Sequence, residues 1–185
     1  FRLPQTMFTP LSPERQQRLR DIKLLILDVD GVLTSAQLFI GGNGEIIKAF
    51  NTLDGHGIKM LHQTGVQTAI ITARNDPAVA HRAAQLGINH YLHGVENKQQ
   101  AFAQLCAQTQ IAAQQCAFVG DDVIDLPVMT RCGFPFAVAN AHSYVKEHAL
   151  YTTRKSGGFG AVREVTDLIM HAQNTLSDAL AEYTK

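Results

Sequence analysis

Short apolar runs that alternate with helical patterns constrain the fold of this chain most strongly. The runs KLLILDV (23–29), VQTAIIT (66–72) and CAFVG (116–120) are apolar almost throughout and short, which is typical of buried strands. Helical stretches lie between them. Strands that alternate with helices form a parallel sheet covered by helices on both faces. The sequence therefore predicts an α/β fold of this kind.

One segment departs from this alternation. The stretches VLTSAQLFI and EIIKAF flank the sequence GGNG, which is the pattern of a β-hairpin with a glycine-rich loop over about residues 32–50. The hairpin follows the first strand as an insertion. We expect the whole chain, residues 1–185, to form a single domain, because no linker or repeat divides it.

N-cap residues, prolines and glycines indicate where helices begin and end. From these signals we expect a helix that begins at Pro13 after Ser12, one from about Gly55 to Gly65, one from Pro77 to Gly87 and a long amphipathic one over about 160–180.

The composition is that of a globular protein with no net charge, which leaves room only for a local basic site. Lys+Arg and Asp+Glu number 16 each, so there is no basic excess for a nucleic acid or a membrane surface.

The apolar runs, about six residues long, fall far short of a membrane span, and no signal-peptide pattern is present. The three cysteines have no paired or metal-ligand spacing, which favours a reducing compartment. We expect a cytoplasmic protein.

Ligands bind at the carboxyl ends of the strands in a parallel sheet, and the residues found there suit phosphoryl transfer. They are, in chain order, Asp28 and Asp30, Thr72 and Arg74, Lys98, and Asp121, Asp122 and Asp125. Carboxylates that converge in this way need a divalent cation among them, and oxygen ligands suit Mg²⁺. One carboxylate can attack phosphorus while another transfers the proton. Thr72 and Lys98 would stabilise the phosphoryl oxygens.

The order of these motifs resembles the haloacid dehalogenase (HAD) superfamily. Its four signatures correspond to DVDGV, ITAR, ENKQQ and GDDVID in this sequence. The resemblance implies a Rossmann-like core, with Asp28 as the nucleophile that forms an aspartyl-phosphate and Asp30 as the general acid and base. It further implies that Mg²⁺ binds to Asp28, the main-chain carbonyl of Asp30 and Asp121. Asp122 and Asp125 would support these groups from outside.

Members of this superfamily usually carry a cap domain, for which this chain has no room. The hairpin and single helices occupy the segments between Asp28 and Thr72 and between Thr72 and Lys98. An uncapped site faces a macromolecule or is closed by another subunit. A two-stranded hairpin is marginal alone, and its outer edge can pair with another chain. We therefore expect neighbouring subunits to close the site.

The positive charge near the expected phosphate site exceeds what one phosphate requires. Arg74 and Arg82 join Lys98 there. Arg binds carboxylates through two parallel hydrogen bonds, so a carboxylate on the substrate would account for the excess.

Most of the chain resembles the 3-deoxy-D-manno-octulosonate 8-phosphate (KDO 8-phosphate) phosphatase family. The motifs DVDGVLT, FNTLDGHGI, ITAR, GDDVIDLPVM, AVANAH and GGFGAVREV follow its pattern over about 25–165. The resemblance implies hydrolysis of a sugar-acid phosphate, KDO 8-phosphate, in lipopolysaccharide precursor synthesis. It also implies a homotetramer whose hairpins cover neighbouring sites. The substrate contacts implied are Asn51, Asp54, Gly55, Lys59, Arg74, Arg82 and Lys98.

Three alternatives stay open at this point. The first is a phosphatase for another sugar acid, such as N-acylneuraminate 9-phosphate. The second is a signalling receiver module, although receivers lack an acid two residues after the phospho-accepting Asp and carry their acidic pair before it. The third is a non-catalytic oligomerising module of the HAD type, which would not need the four signatures.

Overall fold

A six-stranded parallel sheet forms the centre of the protein. The computed structural model describes residues 7–185. The strands of the sheet are β1 (Leu24–Leu27), β4 (Gln67–Ile71), β5 (His90–Leu92), β6 (Cys116–Gly120), β7 (Phe134–Ala137) and β8 (Tyr151–Thr152). Their order across the sheet is β5-β4-β1-β6-β7-β8, and every adjacent pair is parallel. The predicted α/β class is confirmed.

Helices connect the strands and cover the sheet. They are α1 (Pro13–Arg20), α2 (Thr52–Gln63), α3 (Pro77–Leu86), α4 (Lys98–Thr109), α5 (Leu126–Met129), α6 (Ser143–Glu147), α7 (Ala161–Ala172) and α8 (Leu176–Ala181). Short 3₁₀ turns span Ala113–Gln115, Val123–Asp125 and Glu182–Thr184. The predicted starts of α1 and α3 are confirmed, with Ser12 and Asp76 as the N-caps.

The central strands are buried because they are apolar on both faces. Every residue of β1, β6 and β7 is buried, as expected for strands covered by helices on each side. The largest core side chains include Phe118, Phe134 and Phe136, which have no exposed surface. This dense centre holds the strand ends in fixed positions relative to one another.

The predicted hairpin is present, but it is shorter than its apolar stretches. Its antiparallel strands are β2 (Phe39–Ile40) and β3 (Ile46–Ile47). The part of the segment that comes first, around Val32 and Leu33, is instead buried as a turn after β1. All four strand residues of the hairpin are exposed.

Two predictions about helices were wrong: one predicted helix is two helices, and another begins earlier than predicted. The single helix over 160–180 is two helices, because the chain turns at Asn174, whose φ of +59° lies in the left-handed region that Asn tolerates. The helix predicted from Gly55 begins at Thr52, because the Asn51 side chain accepts a hydrogen bond from the Leu53 N–H at 2.8 Å.

Candidate active site

The carboxyl ends of β1 and β6 lie side by side at the middle of the sheet. Leu27 pairs with Val119 in register, and the Asp28 N–H donates to the Val119 carbonyl at 3.2 Å. Strands β4 and β5 are added on one side of β1, and β6 to β8 on the other. The chain thus adds strands first in one direction from β1 and then in the other. Where this direction reverses, α/β proteins have a crevice in which they bind ligands.

A buried lysine joins the ends of these strands. Lys98 is the first residue of α4, and its ammonium group donates to Oδ1 of Asp28 at 2.8 Å and to Oδ1 of Asp125 at 2.7 Å. All three side chains are at most 6% exposed. Burial alone would lower the pKa of Lys98, but the two carboxylates raise it above its ordinary value. The ion pairs also offset the unfavourable position of a cation at a helix N-terminus.

Asp125 organises the loop after β6. Its Oδ2 accepts hydrogen bonds from the backbone N–H groups of Asp121 and Asp122, at 2.9 and 3.3 Å. Asp122 in turn caps the 3₁₀ turn by accepting from the Val123 N–H. The fully buried Asp125 therefore fixes the backbone from which Asp121 projects, and Asp122 is exposed.

Three carboxylates form a cluster that could hold a metal ion. Asp28, Asp121 and Asp125 each offer an oxygen atom within 4.8 Å of the others. Burial and the neighbouring Asp125 raise the pKa of Asp28 to about 6. Burial and the surrounding carboxylates, of which Asp28 has the largest effect, raise the pKa of Asp121 to about 8. A divalent cation at this position would relieve the repulsion, and hard oxygen ligands suit Mg²⁺.

Gly31 allows the cluster to form. Its φ is +94°, and a Cβ atom there would lie only 1.9 Å from Oδ2 of Asp121. The glycine of the DVDG motif is thus required both by its backbone conformation and by the close approach of a carboxylate.

Asp30, in the loop that follows β1, is held by two cations. Its Oδ1 accepts from Lys48 at 2.6 Å, and its Oδ2 lies 3.4 Å from Nε of Arg74. Lys48 also lies 3.4 Å from Asp76. Sequence reasoning missed Lys48, because it follows the two exposed residues of β3 and nothing in the pattern around it indicates that its side chain is buried.

Thr72 follows β4 at the same edge of the sheet and is buried. Its N–H donates to the Leu92 carbonyl at 3.0 Å, and its hydroxyl accepts from the Arg74 N–H at 3.3 Å. Because β4 is the direct neighbour of β1, the sheet brings Thr72 to the side of Asp28 opposite Asp121.

Four of the predicted substrate contacts lie where α2 meets α3 and α7. Asp54 is buried, and its Oδ1 accepts from the Arg163 N–H at 2.8 Å. Burial raises the pKa of Asp54 to about 6 despite its backbone hydrogen bonds. Arg82 donates to the Asn51 carbonyl at 3.3 Å, and a Cβ at Gly55 would lie 2.4 Å from the same guanidinium.

The other predicted contacts differ in exposure. Arg74 is half exposed and contacts Asp30, so it is the predicted arginine that reaches the loop after β1. Lys59 is exposed on α2. Within the described part of the chain, Arg82 Nε and Asp54 Oδ2 are buried without a hydrogen-bond partner.

Comparison with known proteins gives the family. A model described as haloacid dehalogenase-like hydrolase matches residues 92–165, which include Lys98, Asp121 and Asp125. The 3-deoxy-D-manno-octulosonate 8-phosphate phosphatase of Escherichia coli (strain B / BL21-DE3) is 46% identical over 174 residues, or 94% of this chain and 93% of the relative. The chain belongs to the haloacid dehalogenase-like phosphatases. The resemblance seen in the sequence motifs is thereby confirmed.

Solved structures of this phosphatase family share the fold closely. The Yersinia pestis 3-deoxy-D-manno-octulosonate 8-phosphate phosphatase is 44% identical with a TM-score of 0.91, and the match covers 94% of each chain. The Moraxella catarrhalis enzyme of the same name, in complex with a magnesium ion, a phosphate ion and KDO, is 39% identical with a TM-score of 0.90. That match covers 92% of this chain and 98% of the other.

No helix among residues 7–185 is both long and apolar enough to cross a membrane.

Proposed function

We propose that this HAD phosphatase hydrolyses KDO 8-phosphate to KDO and inorganic phosphate through an aspartyl-phosphate on Asp28. The observation that carries the proposal is the buried Asp28–Lys98–Asp125 arrangement beside Asp121, at the carboxyl ends of adjacent strands. The named relatives, similar over nearly the whole chain, support the substrate.

In the first step, a carboxylate oxygen of Asp28 attacks phosphorus as the bond from phosphorus to the sugar oxygen breaks. Asp30 gives its proton to the leaving sugar oxygen. In the second step, Asp30 takes a proton from a water molecule, which attacks phosphorus and releases Asp28 and inorganic phosphate. Lys98 orients Asp28 and, with Thr72, stabilises the negative charge on the phosphoryl oxygens.

The residues at the site fit a divalent cation. Asp28, Asp121 and the main-chain carbonyl of Asp30 would hold Mg²⁺, which neutralises phosphate charge so that an anionic carboxylate can approach. The raised pKa of Asp121 supports this, because a carboxylate among others is favoured as an anion only when a cation compensates it. Lys98 already compensates Asp28 and Asp125.

The sugar-acid part of the substrate requires cationic recognition. Arg74 is the best candidate for its carboxylate, because it is half exposed beside Asp30. Asn51, Asp54, Gly55, Lys59 and Arg82 remain predicted contacts. The four contacts at the α2–α3–α7 junction, which are Asn51, Asp54, Gly55 and Arg82, would form one wall of the substrate site. Lys59 would reach the substrate from the exposed face of α2.

A homotetramer would complete the site. In the hairpin, Phe39, Ile40 and Ile47 are each more than half exposed, which is unusual for apolar side chains in strands. A hairpin with two residues in each strand gains little stability alone, so pairing with the hairpins of other copies would bury this surface. A cytoplasmic role in lipopolysaccharide precursor synthesis belongs to the same proposal and rests on the cysteine usage and on the family resemblance of the sequence motifs.

The test is phosphate release by the purified chain from KDO 8-phosphate, N-acylneuraminate 9-phosphate and a neutral sugar phosphate, with Mg²⁺ or with EDTA. We expect the highest kcat/KM for KDO 8-phosphate, and no release in EDTA or by Asp28→Asn. Equal kcat/KM for the neutral sugar would contradict the substrate. Undiminished release by Asp28→Asn would contradict the mechanism, and no release from any compound would favour a non-catalytic module.

A further inference from the structure

Lys48 is a buried lysine that the two chemical steps above do not use. It directly follows β3 at the base of the hairpin, and its side chain has no exposed surface although the two preceding residues are exposed. Its ammonium group lies 2.6 Å from Oδ1 of Asp30 and 3.4 Å from Oδ2 of Asp76. Lysines are buried in this way only where opposite charges compensate them. Both compensating carboxylates belong to loops at the carboxyl edge of the sheet.

The two cations that contact Asp30 are not equivalent. Arg74 is half exposed and 3.4 Å away, so solvent weakens its hold on the carboxylate. Lys48 is fully buried and makes a direct hydrogen bond, so it determines the direction in which the Asp30 carboxylate points. A general acid or base must lie within hydrogen-bond reach of the atom with which it exchanges a proton.

Asp76 connects the same lysine to a third element. Its side chain caps α3 by accepting from the Ala78 N–H at 2.9 Å, and it is itself buried. Lys48 therefore lies between the loop after β1 and the N-terminus of α3. The orientation of Asp30 depends on the base of the hairpin and on α3 together.

We propose that Lys48 is a positioning residue that holds the Asp30 carboxylate in its proton-transferring orientation and ties it to the base of the hairpin. This inference rests on the proposed function, in which Asp30 moves the proton. Lys48 does not touch the reacting phosphoryl group in this assignment. Its effect on turnover is exerted through Asp30 alone.

The test is a double-mutant cycle on KDO 8-phosphate with wild type, Lys48→Met, Asp30→Asn and the double variant. Displacing a reacting group by about 1 Å lowers a reaction rate by up to about 100-fold. We therefore expect Lys48→Met to lower kcat by about 10- to 100-fold. KM should change by less than about 3-fold, because the loss affects the reacting group rather than substrate binding. In the Asp30→Asn background, Lys48→Met should lower kcat by less than about 2-fold further.

A second readout separates positioning from a general structural effect. An aryl phosphate with a good leaving group, p-nitrophenyl phosphate, needs no proton for its departing oxygen. In single turnovers with excess enzyme, p-nitrophenolate release should fall much less in Lys48→Met than KDO release from KDO 8-phosphate. A structural defect of the site would slow both reactions by the same factor.

Lys23→Met is the matched control, because Lys23 is exposed at the other end of the sheet. We expect it to retain kcat within about 2-fold. If Lys48→Met does not fold, Lys48→Gln replaces it in the cycle. The glutamine side chain is shorter and uncharged, so it cannot make the ionic hydrogen bond that Lys48 donates to Oδ1 of Asp30 at 2.6 Å. We expect the same non-additive effect on kcat with Asp30→Asn.

Unchanged kcat in either folded variant, or a full multiplicative effect in the Asp30→Asn background, would overturn the positioning role alone. Failure of the proposed function is distinguished by the activities of the wild type and of Asp30→Asn. Absence of phosphate release by the wild type, or undiminished release by Asp30→Asn, would overturn both proposals.

Discussion

The ammonium group of Lys98 lies 2.8 Å from Oδ1 of Asp28 although 70 residues separate them in the chain. The same ammonium group contacts Asp125, so one cation compensates two buried carboxylates. Each of the three groups depends on the others, because a buried charge without a partner is strongly unfavourable.

We expect Lys98→Met to lower the free energy of unfolding by about 3 kcal/mol, because it leaves Asp28 and Asp125 buried without their cation. Urea unfolding followed by circular dichroism measures this. Adding Asp125→Asn to Lys98→Met should recover part of the stability but none of the phosphatase activity. If the single variant is as stable as wild type, the ion pairs are not important for the fold.

The raised pKa of Asp121 predicts that the metal-free protein loses stability as pH rises. The folded state holds a proton on Asp121 up to about pH 8, whereas the unfolded chain releases it near its ordinary value of 3.8. The folded state thus binds more protons in this window, so the free energy of unfolding falls between about pH 4 and pH 8.

Thermal unfolding in EDTA at pH 5, 6, 7 and 8 measures this dependence. Mg²⁺ should raise the melting temperature more at pH 8 than at pH 5, because its ligands must be ionised. Asp121→Asn should flatten the pH dependence and reduce the Mg²⁺ effect. An Mg²⁺ effect that is the same at both pH values would contradict the assignment of Asp121 as a ligand.

Gly31→Ala should disrupt the site more than the same change in the hairpin loop. A Cβ at Gly31 meets the Asp121 carboxylate, and φ there is +94°. We expect a loss of about 1 to 3 kcal/mol in stability and a large loss of phosphatase activity. Gly44→Ala is the control, since Gly44 also has a positive φ (+81°) but open space around it. Equal activity in the two variants would show that the close approach at Gly31 is unimportant.

Replacement of exposed apolar residues in the hairpin should dissociate the assembly. Phe39→Ser with Ile47→Ser removes most of the apolar surface that we expect other copies to bury. Light scattering should give a tetramer mass for wild type and a smaller mass for the double variant, with lower activity per chain. Exposed Leu53→Ser, outside the hairpin, should keep the wild-type mass. A monomeric wild type would contradict the shared-site proposal.

The sequence predicted the parts of the fold that depend on local patterns. Strand β6 matches its apolar run CAFVG at both ends, and α1 begins at Pro13 as its cap indicates. The break at Asn174 was missed because the apolar periodicity before it gives no sign that a single residue will adopt a left-handed conformation. Local periodicity reports which face is buried, but it does not report where the helix axis changes.

For the candidate site, the sequence predicted which residues lie at the ends of the strands but not the contacts that depend on packing. The positions of Asp28, Lys98 and Asp121 follow from the rule that parallel strands end at one edge, so their proximity was expected. Lys48 was not found, because its contact with Asp30 depends on how the hairpin folds back over the loop after β1. The burial of Asp54 and the contact of Arg82 with the Asn51 carbonyl likewise depend on helix packing, which no spacing in the sequence reveals.

The order of the strands also has a consequence for synthesis of the chain on the ribosome. Strand β1 emerges early and can pair with β4 on one side, but its other edge stays unpaired until β6 has been made. That edge belongs to a wholly apolar segment, LLIL, of the kind that aggregates when exposed. The nascent protein therefore has an interval in which an unpaired apolar strand edge is open to aggregation, and this interval ends with the same pairing that brings Asp121 beside Asp28.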